Sequence, residues 1–268
     1  RTNQANFGHI DGSPLAYWLP LKTLYSFTNK KIIDVAEPRL GMATASNTTF
    51  VRFWYEVSKF KINFAAKSRL DASDSKKKWF PYNKGGEYRK WFGNDWLVVN
   101  WENDGSEIQN FKDNTGKIRS HNYNLSYIFR PGITWNALTS GNLSSRITKS
   151  GFLFDNAGSK LFVKDDNFAE LKLIQASLSS KAANYIFKAI NPTINYQPGT
   201  IGQLPIVFEN YDGKTVEGIV DLCMTISKLD WDSYEDSWNF NFHPLIQNID
   251  EHEKEKLVPL LFLTSKPP

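Results

Sequence analysis

The sequence predicts an α+β protein: a β-rich lobe over residues 1–165, followed by a helical, spacer-like region over residues 166–268. Three observations carry that reading. The first half alternates short apolar and polar stretches with Asn-, Gly- and Ser-rich connections, the pattern of half-buried strands joined by turns. From residue 167 onward the apolar residues recur at helical spacing instead. The charge changes sign near the same place: residues 1–150 hold 22 Lys and Arg against 12 Asp and Glu, whereas residues 151–268 hold 10 against 16.

Each element follows from its own pattern. In TTFVRFWYEV (48–57), Val51, Phe53, Tyr55 and Val57 alternate with Arg52, Trp54 and Glu56, which predicts a strand with one buried face. DWLVVNW (95–101) predicts a second strand, and YIFR (127–130), before Pro131-Gly132, a third. SGFLFDNAGSKLFV (150–163) predicts a hairpin whose turn uses Asn156 and Gly158. NFAELKLIQASLSSKAANYIFKAI (167–190) predicts one helix, with Leu171, Ile174, Leu178, Ala182, Tyr185, Ile186 and Ala189 facing inward and Asn191-Pro192 stopping it. NPTINYQPGTIGQLPI (191–206) reads as extended, held open by three prolines. TVEGIVDLCMTISKL (215–229) predicts a second helix with Val216, Ile219, Val220, Cys223, Ile226 and Leu229 on one stripe, and IDEHEKEK (249–256) a short third.

Composition narrows the class. A hydrophobic share of 41% supports a real core, and an aromatic share of 15% points to a ring-rich core, a ring-rich surface or both. The one cysteine, Cys223, excludes a disulfide within the chain, reads as a buried small hydrophobe, and favours a cytoplasmic home. No apolar run reaches membrane-spanning length, so no membrane partner is expected. The opening residues lack a signal-peptide core, and a chain starting at Arg1 reads as a piece of something longer.

Catalytic chemistry is scarce. The four histidines have no ligand spacing and no metal site is expected. There is neither a nucleophile elbow nor a phosphate loop. A methyl-transferring chain would carry a glycine-rich adenosylmethionine loop and an Asn-Pro-Pro-Tyr-like motif. Asn191-Pro192-Thr193 lacks the second proline and the ring, and follows a helix, so it reads as a helix stop. Asp230, Asp232, Glu235 and Asp236 form an acidic cluster. It reads first as a solvated helix exit; a metal-dependent nuclease domain using residues 230–236 is the alternative function. A carbohydrate-binding module would explain the tryptophans but not the basic half.

The most informative stretch is KKKWFPYNKGGEYRKWFGN (76–94), which interleaves six bases with six rings around Gly85-Gly86. Lys and Arg neutralise phosphates, rings stack on bases, and glycines allow close backbone approach. Arg89 suits guanine, and Asn83, Asn94 and Asn100 suit adenine. Trp79, Phe80, Trp91 and Phe92, taken singly, read as core. The chain therefore reads as a binder, with the basic residues as a group pointing to nucleic acid.

Several strings carry a family resemblance: GMATASNTTFVRFWYEV (41–57), KWFPYNKGGEYRKWFGNDWLVVNWENDG (78–105), FRPGITW (129–135), GFLFDNAGS (151–159), NPTINYQPG (191–199) and DWDSYEDSWNF (230–240). Together they resemble the C-terminal target-recognition region of PglX, the adenine-specific DNA methyltransferases of BREX phage-defence systems. Leu204-Pro205-Ile206 before a helix also looks like the approach to a spacer helix in restriction specificity subunits. The resemblance implies a chain that recognises DNA sequence and is not catalytic in isolation. It also implies a methyltransferase domain N-terminal to it that holds S-adenosylmethionine, no cofactor in this chain, and helices that dock onto that domain or onto other BREX subunits. The DNA-binding candidates are Lys77, Lys78, Tyr82, Asn83, Lys84, Arg89 and Lys90, with Arg52, Thr134 and Trp135 from the other matched strings. The matched strings also read as scaffold, which moves base reading toward residues 59–75, 106–125 and 136–149.

Overall fold

The computed structural model describes residues 8, 10, 17–191, 193–207 and 212–247. Among these residues, eight strands run β1 (Ala36–Arg39), β2 (Val51–Phe53), β3 (Trp79–Asn83), β4 (Leu97–Asn100), β5 (Gly132–Trp135), β6 (Ser145–Thr148), β7 (Leu153–Phe154) and β8 (Lys160–Val163). The helices are α1 (Leu21–Ser26), α2 (Ile32–Val35), α3 (Asn47–Phe50), α4 (Arg69–Asp74), α5 (Glu102–Gln109), α6 (Phe168–Ser179), α7 (Lys181–Ile190), α8 (Pro198–Gly202), α9 (Gly213–Asp232) and α10 (Pro244–Gln247). The class is α+β, as the sequence predicts.

The strands form two four-stranded sheets, ordered β1-β8-β5-β6 and β2-β4-β3-β7. All pairings are antiparallel except β3 with β7. Residues 150–163 are therefore not a hairpin. β7 lies parallel to β3 in one sheet, a single 3-10 turn at Asn156–Gly158 crosses over, and β8 enters the other sheet. Leu153, Phe154, Leu161 and Phe162 are all buried, and covering both faces of both short strands takes two sheets.

Other local departures have local causes. The 48–57 segment is extended only through β2, because the Glu56 carboxylate accepts from the Phe53 amide at 2.8 Å and folds the chain into a 3-10 turn. Phe53 and Tyr55 then face outward, stacked 5.3 Å apart and nearly parallel. The third strand is β5, downstream of YIFR, since Phe129 adopts a left-handed backbone (φ 69°) that breaks extension before Pro131. The predicted long helix divides at Ser180, whose hydroxyl caps α7 by accepting from the Ala183 amide at 3.0 Å. That break shifts the phase, so Ala183 and Phe187 are buried while Ala182 and Tyr185 stay exposed. In the stretch read as extended, Pro198 opens the short helix α8. The 249–256 segment lies outside the described residues.

One apolar cluster joins Ile133, Trp135, Ile147 and Leu161 of the first sheet to Leu171, Ile174 and Leu178 of α6, Phe187 of α7 and Val220 of α9. The core thus runs through position 165/166. A second cluster, rich in rings, includes Phe80, Tyr82, Trp101, Phe129, Phe154 and Phe162. On α9 the expected stripe divides. Val220 and Trp231 are buried, Cys223 is half-buried, and Ile219, Leu222, Ile226 and Leu229 are exposed. Among the described residues no helix is long and apolar enough to cross a membrane.

Candidate nucleic-acid interface

The stretch 76–94 begins as β3, whose five residues are all buried. Tyr82 donates to Asp155 Oδ2 at 2.6 Å, and Lys84 Nζ donates to the same oxygen at 2.6 Å. Burial and the adjacent Asp155 carboxylate hold the Tyr82 phenol well above its ordinary pKa, so it stays a donor. The Asn83 carbonyl accepts from the Asp155 amide at 2.8 Å. Thr134 Oγ1 donates to the Gly158 carbonyl at 3.1 Å, and Trp135 Nε1 to the Tyr196 carbonyl at 2.8 Å. Tyr82, Asn83, Thr134 and Trp135 are thus buried framework with no side-chain surface open to a duplex.

The Gly85-Gly86 turn is approached by the protein itself. Asn136 Nδ2 donates to the Gly86 and Glu87 carbonyls at 2.7 and 3.1 Å. At Gly86 (φ 138°) a Cβ would meet Asn94 and Trp96 atoms at 2.9 Å, so only glycine fits. Beyond it, Arg89 Nη1 donates to Asp230 Oδ2 at 2.8 Å while its guanidinium lies 4.9 Å from the Trp231 ring centre. Lys90 Nζ donates to the Ser179 carbonyl at 2.9 Å. Residues 84–94 therefore form a seam that fastens the sheets to α6 and α9. Asn94 and Asn100 are likewise occupied, donating to the Glu87 carbonyl and to Glu107 Oε2 at 2.9 Å each.

Beneath the seam lies a buried polar centre. Arg146 donates to the Arg89 carbonyl and to Asn136 Oδ1, both at 2.9 Å. Burial lowers the Arg146 guanidinium to about 10 and the Lys160 ammonium to about 7, and raises the Asp95 carboxyl to about 7. The Arg146 and Lys160 charges oppose the rise at Asp95. Lys160 Nζ donates to the Arg130 carbonyl at 2.9 Å.

The outward-facing bases lie elsewhere. The Lys78 amide donates to the Lys61 carbonyl at 3.1 Å, and Ile62 bridges Trp79 in parallel, which sets residues 59–62 beside 76–79. Lys59, Lys61 and Lys76 are exposed and, among the described residues, make no ion pair. Lys77 Nζ donates to the Phe60 carbonyl at 2.6 Å, and the Phe60 ring is 87% exposed. Arg52 donates to the Thr48 and Val51 carbonyls at 2.6 and 2.7 Å and lies 6.0 Å from the Trp79 ring centre. Lys78, at the border, faces Glu102 at 3.2 Å. Residues 51–78 hold eight bases against three acids. Chemically this face offers cations for phosphates and the Phe53, Tyr55 and Phe60 rings for stacking. The sequence singled out Arg52, Lys77 and Lys78 by name and residues 59–75, with Lys59, Phe60 and Lys61, as a segment, and it read Phe53 and Tyr55 as one side of a strand. Their signal was the spacing of rings and lysines in 53–61, which reads as strand alternation when taken alone.

The acidic cluster does not converge. Asp230 pairs with Arg89, and Asp232 pairs with Lys228 and accepts from Ser237 Oγ at 2.6 Å. Glu235 and Asp236 are exposed, and Asp236 contributes its carbonyl to Trp54 Nε1 at 2.7 Å. Among the described residues no group of three or more His, Cys, Asp or Glu could hold a metal ion, so the nuclease alternative has no support here. Asn191 closes α7, and its Oδ1 accepts from Thr193 Oγ1 at 2.8 Å in a local turn.

No family model matches the chain. It is 40% identical over 265 residues, 98% of its length, to the adenine-specific methyltransferase PglX of Lacticaseibacillus casei (strain Zhang), of which it covers 22%. It is 34% identical over 247 residues, 92% of its length, to the adenine-specific methyltransferase BrxX of Escherichia coli O9:H4 (strain HS), of which it covers 19%. The chain thus spans about a fifth of the length of the curated relatives it matches.

Proposed function

We propose that this chain is the DNA sequence-recognition region of an adenine-specific (N6) DNA methyltransferase of bacterial phage defence, cytoplasmic and non-catalytic in isolation. What supports the reading most is a coincidence. A chain similar over almost its whole length to two adenine-specific methyltransferases carries, between residues 51 and 78, exposed rings and exposed lysines that make no ion pair among the described residues. Lys59, Lys61, Lys76 and Lys77, with Arg52, neutralise phosphates of double-stranded DNA, and Phe53, Tyr55 and Phe60 contact bases or sugars. A methyltransferase domain N-terminal to these residues supplies S-adenosylmethionine and the chemistry. The exposed Ile219, Leu222, Ile226 and Leu229 of α9 are its docking stripe, and other BREX subunits are further partners.

Fluorescence anisotropy of a labelled duplex at rising salt tests this. The triple variant Lys59→Glu/Lys61→Glu/Lys76→Glu loses tenfold or more in affinity at low salt. Its log–log salt slope becomes shallower by about three, near one unit per lost phosphate contact. Unchanged affinity and slope would reject the face.

A further inference from the structure

A cleft of about 390 Å³ opens between the loop at residues 64–67, the end of β6, α9 and the turn carrying Trp238. That volume suits a nucleoside-sized ligand. Its wall is aromatic: the Trp238 ring centre lies 5.0 Å from Phe64 and 6.1 Å from Phe152. Asp95 also lines it; the residue is only 7% exposed, and its Oδ1 is buried with no hydrogen-bond partner. Oδ1 is itself closed off, so the carboxyl meets an occupant of the cleft through Oδ2, which makes no hydrogen bond among the described residues. Lys67 and Lys149 also line the cleft, are exposed, and make no ion pair among the described residues, whereas Lys228 is already paired with Asp232.

We propose that this cleft binds a nucleotide whose base carries an exocyclic amine. The ring lies against Trp238, Phe64 and Phe152, the amine donates to Asp95, and the phosphate meets Lys67 and Lys149. Each part of the ligand answers one part of the site: a planar apolar face, an N–H donor, an anion. Above pH about 7, where the Asp95 carboxyl is ionised, thymine fits poorly, because its one ring N–H is flanked by two carbonyls that would face the carboxylate oxygens. Burial, which raises Asp95 to about 7, lets it act as acceptor alone toward guanine, or as donor and acceptor toward adenine and cytosine. The inference stands apart from the DNA-binding face, since a free mononucleotide satisfies it. A base extruded from DNA offers the same chemistry.

Isothermal titration calorimetry on the whole chain with dAMP, dCMP, dGMP and dTMP, and with deoxyadenosine, tests the first source. At pH 8, with Asp95 ionised, the amine-bearing nucleotides bind at least tenfold more tightly than dTMP, and deoxyadenosine binds more weakly than dAMP. A duplex with one unpaired adenine, compared with its fully paired counterpart, tests the second. Trp238→Ala removes binding in whichever arm shows it, while leaving the affinity for fully paired duplex unchanged. Asp95→Leu removes the preference among bases; should that variant not fold, Lys67→Ser/Lys149→Ser, which loses the advantage of dAMP over deoxyadenosine, takes its place. Binding of dTMP equal to dAMP, binding unaffected by Trp238→Ala, or no binding in either arm overturns the proposal. Loss of paired-duplex affinity in the Lys59/Lys61/Lys76 variant alone would bear on the basic face and leave the cleft untouched.

Discussion

Residues 84–94 and residues 52–61 each contribute three basic side chains interleaved with rings. Their fates are opposite. In the first, Lys84, Arg89 and Lys90 spend their hydrogen-bonding capacity on Asp155, Asp230 and the Ser179 carbonyl. In the second, Lys59 and Lys61 point to solvent beside exposed rings, Phe53 stacked on Tyr55 and Phe60 87% exposed. A basic, ring-studded string can therefore be a seam or a binding face. What separates them is whether carboxylates and carbonyls from distant parts of the chain arrive to meet it.

The sharpest way to break this distinction is at the seam's anchor. Asp155 is 1% exposed at its side chain and receives Tyr82, Lys84 and the Ala157 amide. Asp155→Ala leaves a phenol and an ammonium without their acceptor and costs about 3 kcal/mol of stability, measured by urea unfolding. A loss under about 1 kcal/mol would mean the seam is not a structural joint. A pH effect acts on the same scale. The folded-state carboxyl of Asp95 holds its proton up to about 7 against an ordinary 3.8. Its contribution is thus present below the unfolded value and lost as pH rises through the folded one. Arg146, Lys160 and Asp232 surround it and remain in the variant. Asp95→Asn should gain stability relative to the parent as pH rises from 4 to 7, by at most about 1.4 kcal/mol per pH unit. A flat difference across that range would mean the carboxyl is hydrated. The smallest effect concerns α9. Leu222→Ser/Ile226→Ser removes exposed side chains and should shift stability by no more than about 0.5 kcal/mol. A larger loss would show that the stripe is packed within the chain.

Much of the fold was legible, because helical spacing and strand alternation report burial directly. β4, α9 and the acidic helix exit follow from local pattern. What was not legible depended on partners far along the chain. The two-sided burial of Leu153–Phe154 and Leu161–Phe162 reads as a hairpin until two sheets are present to cover it. Ser180 reads as one more polar helix residue until its hydroxyl is seen capping α7. The site divided in the same way. Among the DNA-binding candidates, Arg52 and Lys77 stay partly exposed, whereas Tyr82, Asn83, Thr134 and Trp135 are buried in the fold. Phe60 falls inside the 59–75 segment named for base reading, but nothing local distinguishes its exposed ring from a buried one.

The direct test pairs two charge-removing variants in one DNA-binding titration: Lys59→Gln/Lys61→Gln/Lys76→Gln on the face and Lys84→Gln/Arg89→Gln/Lys90→Gln on the seam. The face variant should lose most of its duplex affinity and salt dependence while unfolding at the parent's urea midpoint. The seam variant should bind duplex as the parent does while unfolding at lower urea. The reverse pattern, with affinity lost at the seam and kept at the face, would contradict the account.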